Sequence, residues 1–549
     1  MALGKISKPD TSPCDGLPTR MYGNSRSIYV HMGKDWGLDS PFGGGKVLAD
    51  ATNLSPRKGS TPASRLLRRG FIKGYGSGDP HGMIMFNGSL FFVNGSNIYS
   101  TPDGVNVSLV AKTTDTYKNF VIFGDRLYIY PDKIYVTKGG AARPLDLKTE
   151  SIENVEFRDN VICLPEGYTW EGLGFSAGDG VKVEGTNTVY TAPDGYYHIC
   201  SFNGSVATLS QNFPTPCTGH ARFVRKVPNL TAACVCGDRV YGIEGKNVYI
   251  SASGSATDFY SDSTVSGNHA ASLSSDADGD FTALSPWQGY VVCFKSDRIC
   301  KLLGSRADSF TLQDRQGVGV PSALSRTLCE VGDALYYAAS GGVWRYRGQE
   351  PEWVCSLGGA TAQNGCGGTD GRAYYLSVTA NGKTRMCLYI PENGKWYPED
   401  DMQVGAMFCH DGLLWMQGKK GVVWTTASDG RTLGSGILEE EQTGLVVASM
   451  TLATDRSEDP GLLRPTAVWV RATGKDGYLK IYASYGDGAI GMDAADGEVL
   501  LGEFSAPMND RLLKVTVHER LYDGVCIRLE TAGDWVIHDV IRRYEVIQP

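Results

Sequence analysis

The residues able to do chemistry are present in this chain but are not grouped. Its eight histidines, His31, His81, His198, His220, His269, His410, His518 and His538, never lie three to five residues apart, so the local pairing that favours zinc is missing. The fourteen cysteines run from Cys14 to Cys526, mostly inside apolar runs such as VICL, YVVCF and MCLYI, where a thiol acts as a small hydrophobe. They read as reduced core residues, and stability should then be indifferent to a reducing agent. Cys234 and Cys236 alternate around Val235 in a strand-like run, and no second pair stands at metal-site spacing. FGGGK, ending at Lys46, lacks the Ser/Thr and the flanking strand and helix of a phosphate loop, so it reads as a flexible turn. Six Asn-x-Ser/Thr sequons occur, at Asn53, Asn87, Asn94, Asn106, Asn203 and Asn229, and three of them are Asn-Gly-Ser, which is hairpin-turn chemistry. STPDGVNV from Ser100 and TASDGRTL from Thr426 resemble, without matching, a Ser-x-Asp-x-Gly turn, which is a folding device. No catalytic, cofactor-binding or metal-binding residue is assigned, and the chain reads as a non-enzyme.

The elements that would position any such residue are short strands. Sixty-nine glycines in 549 residues, with 28 Tyr and 10 Trp, stand well above the usual ~7% glycine and point to many tight turns. An apolar run, a Gly-centred turn and a second apolar-aromatic run recur in MIMFNGSLFFV, FVIFGDRLYIY, AACVCGDRVYGI, SPWQGYVVCF, LCEVGDALYYA, GCGGTDGRAYYL and MFCHDGLLWM. Their turn glycines, Gly88, Gly124, Gly237, Gly289, Gly332, Gly371 and Gly412, are 36, 113, 52, 43, 39 and 41 residues apart. That is near one four-stranded propeller blade per interval except the second. The expected fold is all-β: a propeller of six to eight blades over residues 81–440, with a small β-domain inserted at 156–228. From 445 to 549 longer alternating strands, TAVWVRA, YLKIYASY, RLLKVTVHE, GVCIRLE and DWVIHDVIRRYEVI, predict a separate C-terminal β-sandwich.

Residues 1–80 are rich in Gly, Pro, Ser and Thr, with little periodicity beyond SIYVH and KVLAD. They read either as an extended arm that becomes ordered against its own chain or a neighbour, or as a solvated terminal tail. Tyr22, Tyr29, Val30, Trp36 and Phe42 are the arm's anchors, and Arg57, Lys58, Arg65, Arg68, Arg69 and Lys73 its basic cluster; together they form the candidate interface between subunits or rings. The formal charge of −8 excludes a global attraction to nucleic acid or anionic lipid. No apolar run reaches the ~18 residues of a membrane helix, and the first residues lack the apolar stretch of a secretory signal.

VRKVPNL through VCGDRVYGIEGKNVYISASGSATDF, DGDFTALSPWQGYVVCFKSDRICKLLGSRADSFTLQDRQGVGVPSA and LYYAASGGVWRYRG resemble structural β-propeller proteins of bacteriophage tails. The likeness is to those of phages and prophages of Firmicutes and, more loosely, to nozzle or hub proteins of short-tailed phages. ATNLSPRKGSTPASRLLRRGF resembles the segment such proteins show before their first blade. In place of that family's usual Asn-Arg-Leu-Trp, this chain has Asp238, Arg239, Val240 and Tyr241. The resemblance covers about residues 50–350 and carries no catalytic residues. It implies a virion tail component assembled in the host bacterial cytoplasm, a homo-oligomeric, hexameric ring around the DNA exit channel. Its implied partners are adaptor or portal and other tail proteins, with DNA passing without specific binding and an acidic lumen repelling phosphate. The alternative is a glycan-binding or glycan-cleaving propeller acting as a receptor-binding protein. A WD-repeat platform is disfavoured because the Gly-His and Trp-Asp signatures are missing.

Overall fold

A computed structural model describes residues 20–22, 25–33, 35–57, 61–65, 68–187, 193–213, 215–262, 268–358, 362–426, 445–456, 462–485, 498–517 and 524–547. There are seven antiparallel four-stranded sheets, six of them built from strands consecutive in sequence: blade I at 80–112, II at 119–144, III at 232–274, IV at 283–316, V at 329–356 and VI at 362–400. Blade VII takes three strands from 406–426 and its fourth from Arg68–Ile72, at the other end of the chain. The first strands of successive blades touch one another around the whole circle, blade VII returning to blade I. The fold is a seven-bladed β-propeller.

All seven hairpin glycines expected from the repeat sit between the first and second strands of a blade, and all have positive φ. Two turn chemistries recur. Asn87-Gly88, Gln288-Gly289 and Asp411-Gly412 have both residues at positive φ, the type I′ pattern. Gly124-Asp125, Gly237-Asp238 and Gly332-Asp333 have it at the glycine alone, the type II′ pattern. Both match the right-handed strand twist that a hairpin needs. The second strands, such as Ser89–Asn94, Ala334–Ala339 and Leu413–Gln417, are buried on both faces. Each is covered by a blade on either side, so it reads as a continuous apolar run rather than an alternation. Hydrophobic clusters fill the successive gaps between blades, for example Tyr241, Ile243, Val291 and Cys293 between III and IV, and Val292, Phe294, Leu335 and Tyr337 between IV and V.

The insertion spans Leu147–Lys148 to Cys217–Arg225, beginning about ten residues before the expected boundary. Six of its strands close on themselves, because Cys217–Arg225 pairs with both Ile152–Arg158 and Gly180–Glu184. Closure into a barrel removes exposed edges, and Trp170, Phe157 and Phe223 fill its separate core. The barrel's two ends meet: the Val227 backbone N–H donates to Asp146 (2.9 Å).

The C-terminal sandwich has two sheets, and the expectation that residues 445–549 form it alone is corrected. Ser25–His31 pairs with Trp535–Ile547, and Leu48–Thr52 pairs with Val447–Leu452. The weakly periodic SIYVH and KVLAD are therefore sandwich strands that lie hundreds of residues from their partners. Residues 1–80 are likewise not one arm, since Arg68–Ile72 belongs to blade VII. A single buried cluster runs from Trp36, Leu38 and Leu48 through Tyr374 and Trp396 of blade VI to Val468, Ile481 and Ile537 of the sandwich.

Candidate functional site

The candidate interface residues converge on blade VI of their own chain. Residues 35–50 lie along its outer strand Lys395–Asp400: Leu38 and Trp396 exchange backbone hydrogen bonds (2.9 Å each). Trp36, 2% exposed, packs edge-on to Tyr397 at 4.7 Å. Phe42, half-buried, lies under the Arg385 guanidinium, and Arg385 pairs with Asp50 (2.8 Å). Arg68 is buried, bonded to Glu399 and to Asp400 (2.6 Å). Arg65 donates to Asn53 (2.7 Å) and approaches Asp400 (3.7 Å). Trp36, Arg65 and Arg68 are thus corrected from inter-subunit contacts to in-chain ones. A buried guanidinium must have its charge and donors met, and blade VI supplies carboxylates for Arg65 and Arg68. Tyr29 packs on Trp469 and Arg543 of the sandwich. Lys73 is exposed. Tyr22, Arg57 and Arg69 lie on strands, and their side chains fall outside the described residues.

Two polar constellations look chemical in their residue types and are structural in geometry. In the Ser100 turn, Asp103 accepts hydrogen bonds from the backbone of Val105 (2.9 Å) and Asn106 (2.8 Å) and from the Asn106 side chain (2.6 Å). These bonds hold its carboxyl down at about 2. The second such turn, from Thr426, runs into residues outside those described. Where the barrel meets blade III, Asp258 accepts from both His198 Nδ1 (2.9 Å) and the Ser261 hydroxyl (2.5 Å). A nucleophile relay needs the serine on the imidazole; here the carboxylate is central, so this group fastens the barrel. Thr257 to Asp179 (2.7 Å) adds to that junction, Arg126 to Ser176 (2.8 Å) ties the barrel to blade II, and the Arg225–Asp179 pair (2.6 Å) is buried within the insertion itself.

Thirteen cysteines are described, and all are free thiols. Burial pushes the Cys300, Cys355 and Cys366 thiols up to about 12, far from the depressed values of reactive thiolates. Among the described residues no three His, Cys, Asp or Glu side chains are grouped to hold a metal.

Sequence reasoning missed one cleft. Where blades VI, VII and I meet, a cavity of about 210 Å³ is lined by Asp79, His81, Arg326, Asn364, Gln403 and Lys419, among others. Arg326 comes from the short turn of 3₁₀ helix Ser322–Thr327 that leads into blade V. Its guanidinium donates to the Gly405 carbonyl (3.1 Å) and lies 5.3 Å from the Tyr117 ring centre. Gly405 allows blade VII to approach blade I, since a Cβ there would meet Pro80 at 2.2 Å. The lining residues are scattered from 79 to 419, so no local pattern announces them.

No protein-family model matches this chain, and no curated protein does. Among solved structures, the computationally designed Ika8 protein is 11% identical, covering 65% of this chain and 98% of that one, with a TM-score of 0.35. The Swd1 β-propeller domain of Myceliophteria thermophila is 8% identical over 67% of this chain and 100% of that one, also at 0.35. BamB from Moraxella catarrhalis is 9% identical over 70% and 98%, at 0.32. Likenesses this distant carry no argument about function. Among the described residues, no helix is long and apolar enough to cross a membrane.

Proposed function

We propose that the chain is a structural component of a bacteriophage tail, a ring-forming nozzle or hub protein around the DNA exit channel that docks to portal or adaptor and other tail proteins. The observation that carries this reading is the way the two ends of the chain are built together. Strands from residues 20–64 complete both sheets of the C-terminal sandwich, and Arg68–Ile72 closes the propeller. Propeller, arm and sandwich share one core, which suits a load-bearing subunit. The resemblance of residues 50–350 to tail propellers supports the same reading, and the net charge of −8 suits a conduit that DNA slides through.

With the arm engaged in its own chain, contacts between copies fall to other surfaces. The two edge strands Val499–Ser505 and Met508–Thr516 present Val499, Leu500 and Leu512 about half exposed (50%, 48% and 56%). Unpaired edges bearing apolar side chains are natural association surfaces. Native mass spectrometry and negative-stain imaging of the purified protein with its adaptor should give rings of fixed copy number, six on this reading. Leu512→Asp should release folded monomers. A chain that stays monomeric beside its adaptor and is absent from purified tails would overturn the reading.

A further inference from the structure

We propose that the cleft where blades VI, VII and I meet is a binding site for a small oxyanion, a phosphate or a carboxylate, held by Arg326 and Lys419. The argument starts from the cost of a half-buried guanidinium, which a protein offsets with a counter-ion or with water. The other buried cations of this chain are met by carboxylates or by more than one backbone carbonyl: Arg239 donates to the carbonyls of Ser251 (2.6 Å) and His269 (2.9 Å), and Lys295 to those of Ala277 (2.7 Å) and Asp278 (3.5 Å). Arg68 is paired with Glu399 and Asp400, Arg225 with Asp179, Arg542 with Asp455 and Lys118 with Asp132. Arg326 has less: it is half-buried, and among the described residues it has no carboxylate within 4 Å, its contacts being one backbone carbonyl, that of Gly405, and the Tyr117 ring.

Those two contacts fix the guanidinium plane and use only part of its five N–H donors. A pre-oriented fork with donors left over is the geometry that takes a carboxylate or phosphate edge-on. The rest of the lining agrees. Lys419, exposed at the cleft, has no ion-pair partner among the described residues, and Asn364, Gln403 and Thr379 add neutral polar groups. Asp79 is the one carboxylate lining the cleft, and His81 is already bonded to Asp115 (2.8 Å). A second cleft, between blades IV and V, makes the contrast. Its charged groups are satisfied, Arg315 by Glu350 (3.6 Å), Asp314 by Arg298 (3.4 Å) and Lys301 by the Gly348 carbonyl, and it calls for no ion.

The test titrates the full chain with inorganic phosphate and, separately, with glucuronate as a sugar carboxylate, at constant ionic strength. Calorimetry reads binding, and the melting temperature reads linkage to the folded state. The expected result is saturable binding of one or both anions by the native protein, weakened about tenfold or more in Arg326→Gln and measurably in Lys419→Gln. Preference for phosphate would assign the site to phosphorylated ligands, and preference for glucuronate to acidic sugars. Lys419 is exposed, so its variant keeps the test decisive if Arg326→Gln folds poorly. Absence of saturable binding of both anions, or equal binding by native protein and both variants, would overturn the proposal.

Discussion

Arg68 shows how much one side chain can decide. It reaches from the strand that closes blade VII to the last two residues of the outer strand of blade VI, and it is 2% exposed. Replacing it by Met would leave Glu399, itself 6% exposed, as a buried charge without its partner. Losses of this kind run to about 3–5 kcal/mol, and urea denaturation should show a fall of that order. The double variant Arg68→Met/Glu399→Gln should recover part of it, because the stranded charge is gone. Asp103 acts at the opposite extreme, fully exposed yet held at about 2 rather than 3.8 by its turn. A depressed folded-state value means that its contribution is complete above the unfolded value and is lost as pH falls from about 4 through 2. The difference in melting temperature between native protein and Asp103→Ala should therefore shrink over that interval, and a carboxyl-carbon NMR titration should place Asp103 near its lower end. A gap that stays constant to pH 2 would show that the turn does not depend on the charge.

At the scale of elements, the barrel and the closing strand differ in autonomy. The barrel is a closed ring of strands with its own core, and its chain ends are joined by the Asp146–Val227 hydrogen bond. Units whose ends meet and whose edges are closed tolerate excision. A fragment of residues 146–227 should fold alone, giving dispersed amide resonances and a cooperative melt; a collapsed, undispersed spectrum would show that it leans on blades II and III for its fold. The strand Arg68–Ile72 is the reverse case. It has no sheet of its own, and without it the strand Val423–Thr426 of blade VII is left with an open edge.

For the whole molecule, the consequence is that two N-terminal truncations should differ sharply. Deleting residues 1–50 removes Ser25–His31, one of the strands paired with Trp535–Ile547, and most of Leu48–Thr52, which pairs with Val447–Leu452. It spares the closing strand and the Arg68 ion pairs. The propeller signal in circular dichroism should survive while the sandwich becomes sensitive to protease. Deleting residues 1–72 also opens the ring, and cooperative melting should be lost. Similar behaviour of both truncations would mean that the ring holds without its closing strand.

Local structure in this protein follows from its residues taken a few at a time. Hairpin turns demand Gly, Asn or Asp at particular positions, and strands covered on both faces demand unbroken apolar runs. The blade repeat is therefore legible in the segments from MIMFNGSLFFV to MFCHDGLLWM, and each of the seven turn glycines falls at a blade hairpin. Pairing between segments distant in the chain is settled only in the folded molecule. The preference of SIYVH for a strand is local, whereas its choice of Trp535–Ile547 depends on which edge is open after several hundred residues have folded. The basic cluster was legible as charge; that Arg65 and Arg68 meet carboxylates of blade VI depends on closure of the ring. The Arg326 cleft was illegible for the same reason, since its walls come from three blades that only the closed circle brings together.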